Sequence, residues 1–120
     1  MSYSKTFLEH IEEPRNVGEL QPPAVVVEVV NSACGDRIRL SVLVEEGKIS
    51  SVKMRAFGCA PTLAAASVLT EVVKGYSLDE ANVFTTEDLV KVLGVLPRGK
   101  KHAADLAVEA LHTALSKLIV

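Results

Sequence analysis

Four side chains in this 120-residue chain have the types and spacing to hold a metal ion: Cys34, Asp36, Cys59 and His102. In "NSACGD", Cys34 and Asp36 stand two residues apart at the mouth of a strand. Residues i and i+2 of an extended chain point to the same side, and Gly35 between them lets the backbone turn tightly. Thiol and carboxylate could then face one ion, although an isolated C-G-D is better explained as a buried cysteine beside a turn aspartate. In "FGCAPT", Cys59 lies between a strand and a helix that starts near Pro61. The unpaired N–H groups and dipole of a helix start favour a thiolate there, which suits a metal ligand or a nucleophile. A small core cysteine fits the same local sequence equally well. His102, in "KKHAADLA", stands near another helix start, where a lone histidine is more often a surface or capping residue. No one segment decides the matter. Together, two thiolates, a carboxylate and an imidazole suit tetrahedral zinc and also a small iron–sulfur cluster, whose ligands are usually cysteines but include histidine in some centres. His10 and His112 show no partner pattern and are read as structural.

The elements that must position these residues follow from periodicity. Residues 4–13 read as a short helix with an apolar stripe of Phe7, Leu8 and Ile11, stopped by Pro14. "PRNVGELQPP" is a loop rich in breakers. Residues 24–30, "AVVVEVV", are β-branched and read as a strand. Ile38, Leu40, Val42 and Val44 then alternate with Arg37, Arg39, Ser41 and Leu43, a strand with one buried face. After the turn "EEGK", residues 48–57 read as a third strand, with Val52, Met54 and Ala56 on one side and Lys53, Arg55 and Phe57 on the other. Ile49 is out of phase, which predicts a bulge near Ser50. Short links between the three strands predict an antiparallel meander.

The second half reads as helical. "TLAAASVLTEVVK" has the small apolar residues of a buried helix, ended by Gly75. Ser77 with Glu80 and Thr85 with Asp88 have capping-box spacing. The second pair opens "EDLVKVL", closed by Gly94; "LPRGK" is a loop, and a final helix begins at about Lys101. The expected architecture is α+β: a small antiparallel three-stranded sheet with helices packed on one face, as a single domain over residues 1–120.

Composition narrows the function classes. The residues are 48% hydrophobic with 4% aromatics and no Trp, so the core must be aliphatic. A formal net charge of −2 argues against binding nucleic acid through a basic surface. No apolar run is long enough for a membrane helix. The charged opening "MSYSKTFLEHIEEPRN" reads as a mature cytoplasmic start. A pair of cysteines in a reducing compartment is more often catalytic or metal-binding than disulfide-bonded.

With these residues in order, the chain resembles the NifU/IscU-type iron–sulfur cluster assembly scaffolds over nearly its whole length. "YSKTFLEHIEEPRNVGEL" resembles the family's opening helix and turn. The block from "NSACGD" to "TEVVKG" resembles its centre, with Ala-Cys-Gly-Asp and Phe-Gly-Cys in order, and "LPRGKKHAADLAVEALHTAL" resembles its closing loop and helix. The resemblance implies a scaffold that takes sulfur from a cysteine desulfurase and iron from a donor, builds a [2Fe–2S] cluster and passes it to acceptor proteins. Cys34, Asp36 and Cys59 match the family's ligand positions, and His102 its histidine. The family's third cysteine is replaced by Ala103. Leu96, Pro97 and Lys100 match the family's chaperone-docking stretch, whereas Arg98 and Gly99 differ, which weakens the implied docking of an Hsp70-type chaperone.

Three readings follow. A variant scaffold, not itself an enzyme, would bind iron or a [2Fe–2S] cluster at Cys34, Asp36, Cys59 and His102; a homodimer sharing a cluster would compensate for the lost thiol. A zinc-binding regulatory member would dock on a partner without building clusters. A sulfurtransferase would carry persulfide on Cys59, with Asp36 or His102 moving protons.

Overall fold

The computed structural model describes residues 4–31, 35–94 and 101–118. Helix α1 (Lys5–Glu12) leads into strands β1 (Val25–Asn31), β2 (Asp36–Glu45) and β3 (Lys48–Phe57). Helices α2 (Ala60–Val73), α3 (Leu78–Asn82), α4 (Thr86–Leu93) and α5 (Lys101–Leu118) follow. Cys34 and the "LPRGK" loop lie outside the described residues.

The three strands form one antiparallel sheet in the order β1-β2-β3, the expected meander. Its period-2 pattern sends Val27, Val29, Ile38, Leu40, Val42, Val52 and Met54 into the core. The register runs Arg37 opposite Phe57, Val42 opposite Val52 and Leu43 opposite Ser51, then shifts so that Val44 faces Ile49. Ser50 is therefore the extra residue of a bulge, as Ile49's phase predicts. Its hydroxyl donates to the Leu43 carbonyl at 3.2 Å.

The helices cover one face. α5 packs on β1 and β2, and α2 packs on β3 and is flanked by α1, α4 and α5. This central place explains the composition of α2: Ala64, Ala65, Ala66, Val68 and Leu69 are all buried, since a helix surrounded on most sides must be apolar nearly all round. Ala103, Ala104, Ala107, Ala110 and Ala114 let α5 approach closely. Both expected capping boxes form, Ser77 with Glu80 on α3 and Thr85 with Asp88 on α4.

The first helix departs from its expected stripe. Phe7 is buried, but Leu8 is 48% exposed and His10 takes the second buried position. The reason is tertiary. His10 Nδ1 meets Ser67 Oγ of α2 at 2.6 Å, and Nε2 lies 3.2 Å from the Glu71 carboxylate. Arg15 completes the cluster, donating its backbone N–H to Ser67 Oγ at 2.9 Å and its guanidinium to Glu71 at 3.0 Å. The partners of His10 thus come from α2 and from the turn after α1, beyond what its local sequence displays.

Burial and the adjacent Arg15 guanidinium hold the His10 imidazole below its ordinary value of 6.5, against the opposite pull of Glu71 and Glu9. The folded state therefore resists a proton that the unfolded chain accepts. This share of stability is complete above about pH 6.5 and declines as pH falls below it. The urea midpoint should fall as pH drops below about 6.5, and the fall should be shallower in His10→Gln. Parallel curves for the two proteins would show that His10 carries no such linkage.

Candidate metal centre

The sheet register builds the site. Because Arg37 pairs with Phe57, Asp36 at the start of β2 lies beside Gly58, just past the end of β3. The chain turns there into α2, with Cys59 as its N-cap residue in an extended conformation. One oxygen of the Asp36 carboxylate, Oδ1, accepts the backbone N–H of Cys59 at 3.2 Å. The other, Oδ2, lies 3.7 Å from Cys59 Sγ and 3.4 Å from His102 Nε2. His102 arrives from the first turn of α5, carried over the sheet end by that helix's packing on β1 and β2.

The carboxylate of Asp36 is almost fully buried, while the His102 side chain is about one-third exposed (4% and 29%). The three donor atoms all lie within 4.8 Å of one another. Ligand atoms bound at about 2.0–2.3 Å to one tetrahedral ion are separated by roughly 3.3–3.8 Å. The Oδ2–Nε2 and Oδ2–Sγ distances, 3.4 and 3.7 Å, lie in that range. A thiolate, an imidazole and a carboxylate suit zinc or iron, and no hard all-oxygen cation. An open cleft of about 350 Å³, lined by Val30, Asn31, His102, Asp105, Leu106 and Glu109, reaches His102 from solvent.

Of the four sequence-predicted residues, the fold brings together Asp36, Cys59 and His102; Cys34 lies outside the described residues. Ala103, beside His102, is fully buried. His112 lies far along α5, on its exposed side. Two further residues matter. Gly58 has φ +136°, and a Cβ there would stand 2.0 Å from Asp36 Oδ1. The absence of a side chain is what lets the carboxylate reach the Cys59 N–H. Thr62, fully buried, places its hydroxyl 3.3 Å from Cys59 Sγ. The available signal for it was its position three residues after Cys59, the spacing at which a helix's N-cap and third residues meet.

The chain matches the family model for the NifU-like N terminal domain over residues 2–119. It is 36% identical over 113 residues to "Iron-sulfur cluster assembly scaffold protein IscU 1" of Archaeoglobus fulgidus, covering 94% of this chain and 74% of that protein. It is 42% identical over 118 residues to "Iron-sulfur cluster assembly enzyme IscU" of Drosophila melanogaster, covering 95% and 76%. Among solved structures, a nitrogen-fixing NifU-like protein (N-terminal) from Brucella abortus superposes with a TM-score of 0.77 over 96% of this chain and 92% of that one. Its 20% identity makes that a likeness of fold. The chain belongs to the NifU-like N-terminal domain family.

The geometry around Gly58 generates a direct test. Gly58→Ala forces a side chain onto Asp36 Oδ1 and strains a left-handed backbone, so it should cost about 1–3 kcal/mol of stability. It should also displace the carboxylate and weaken metal uptake. Urea unfolding and zinc titration check both effects; wild-type zinc affinity in a folded variant would show that Asp36 is not a ligand held by this contact.

Proposed function

We propose that this protein is an iron–sulfur cluster assembly scaffold, with iron or a [2Fe–2S] cluster as its cargo rather than a resident cofactor. Cys34, Asp36, Cys59 and His102 are the proposed ligands. The observation that carries this reading is the convergence of Asp36, Cys59 and His102 donors from three separate elements onto one small volume. The names of the Archaeoglobus and Drosophila relatives support it.

The chemistry of the donors favours transfer over storage. Thiolates bind iron–sulfur cargo firmly, whereas a carboxylate is a harder, weaker partner for it. Asp36 is held in place by the Cys59 N–H, so it can offer Oδ2 without reorganising when cargo enters or leaves. The half-open His102 side gives an acceptor protein access to the cargo. A cysteine desulfurase is the proposed sulfur donor, and cluster acceptor proteins are the proposed recipients. The protein's role in this scheme is to hold and release, not to catalyse a substrate turnover. No described helix is long and apolar enough to cross a membrane, consistent with the proposed cytoplasmic setting.

One observation favours a second reading. Ala103 is fully buried in α5 and supplies no thiol where the resembled family has one. A site reduced to two cysteines, one histidine and one aspartate fits a closed zinc centre, in a protein that docks on the assembly machinery without building clusters.

Anaerobic reconstitution with iron, sulfide and thiol separates the two. Wild type should gain iron and acid-labile sulfide in equal amounts, with visible absorption, and Cys34→Ala and Cys59→Ala should each lose most of that content. Full cluster content in both variants would end the ligand assignment. Wild type that holds only zinc, while Ala103→Cys gains a cluster, would overturn the scaffold reading in favour of the zinc-binding one.

A further inference from the structure

Thr62 is a polar residue in the most apolar helix of the protein, fully buried at the third position of α2. A buried hydroxyl without a hydrogen-bond partner costs about 1–3 kcal/mol, so where it points is informative. Among the described residues, its hydrogen-bond partner is Cys59 Sγ, at 3.3 Å. The hydrogen of that bond can be assigned. In the metal-free protein the Cys59 thiol donates toward Asp36 Oδ2, so the bond between Thr62 and the sulfur runs from the Thr62 O–H to Sγ. A chain of hydrogen bonds results: hydroxyl to sulfur, and thiol to carboxylate.

We propose that Thr62 is a positioning residue for Cys59: its buried hydroxyl donates a hydrogen bond to the sulfur both in the free thiol and in the metal-bound thiolate. This rests on the reading of Cys59 as a ligand. Loss of the thiol proton to a metal removes the donation toward Asp36 but leaves the Thr62 O–H in place. The sulfur keeps one protein donor on the core side, which leaves its remaining lone pairs toward Asp36 Oδ2 and His102 Nε2. Such a hydrogen bond also withdraws charge from the sulfur. Donors of this kind orient metal ligands and tune the metal they hold, and hydrogen bonds to sulfur are among the factors that set iron–sulfur potentials.

Thr62→Val removes the donor while keeping the shape; Thr62→Ser keeps the donor. A purely structural role predicts a change in stability alone, because a buried hydroxyl has been exchanged for a methyl group. The positioning role predicts two spectroscopic changes. In metal-free protein carrying Cys34→Ala, so that one thiol remains, the Raman S–H stretching band of Cys59 should shift in Thr62→Val and return toward its original place in Thr62→Ser. In otherwise unaltered protein loaded with Co(II), the thiolate-to-metal charge-transfer band should move to longer wavelength in Thr62→Val, since an unbonded sulfur gives up charge more readily, and should be restored in Thr62→Ser. An S–H band that does not move in Thr62→Val overturns the proposal, as does an unmoved charge-transfer band in Co(II)-loaded protein. Wild type that shows no Co(II)–thiolate band defeats the metal-site reading instead; the S–H band then still decides whether Thr62 holds the sulfur.

Discussion

The buried carboxylate of Asp36 is the point on which the site depends. A charged group taken out of water must be paired and hydrogen-bonded, and each of its two oxygens has a separate task. Oδ1 takes the N–H of Cys59, one of the donors that a helix start leaves without an intrahelical partner. Oδ2 faces the sulfur and the imidazole. The same carboxylate therefore closes the end of the β2–β3 ladder, caps the entrance to α2 and meets the first turn of α5. Gly58 is the steric condition for this arrangement, because any larger residue would occupy the space of Oδ1.

The remainder of the fold holds that junction still. A three-stranded sheet by itself is marginal in water, and here one of its faces is sealed by α2 and α5. Small residues on both helices bring their axes close to each other and to the sheet. Ala103 belongs to this packing: its side chain is part of the core rather than of the site. A candidate site whose donor groups come from a strand start, a strand–helix turn and a helix start is rigid in its supports. It stays open on the His102 side, a combination suited to cargo that must enter and leave.

Much of this was legible along the chain. The alternation of Ile38, Leu40, Val42 and Val44, the misplaced phase of Ile49 and the two capping boxes are local signals, and each corresponds to an observed strand, bulge or helix start. The α1 stripe was not legible. Leu8 satisfies a helical period as well as His10 does, and only the placement of Ser67, Glu71 and Arg15 makes the histidine the better buried residue. Thr62 is hard to single out for a similar reason. Its spacing from Cys59 is the only local signal, and a threonine between Pro61 and Leu63 gains meaning once its hydroxyl lies 3.3 Å from that sulfur.

The α+β class, the meander and the candidate donors Cys34, Asp36, Cys59 and His102 can be read along the chain, because they rest on residue type and short-range period. That the donor atoms of Asp36, Cys59 and His102 meet within 4.8 Å is a consequence of tertiary packing. Their separations of 23 and 66 positions along the chain, 59 less 36 and 102 less 36, carry no distance information. The register of β2 on β3 sets the first approach, and the packing of α5 across β1 and β2 sets the second. Both are fixed by burial of apolar side chains, none of which belongs to the site.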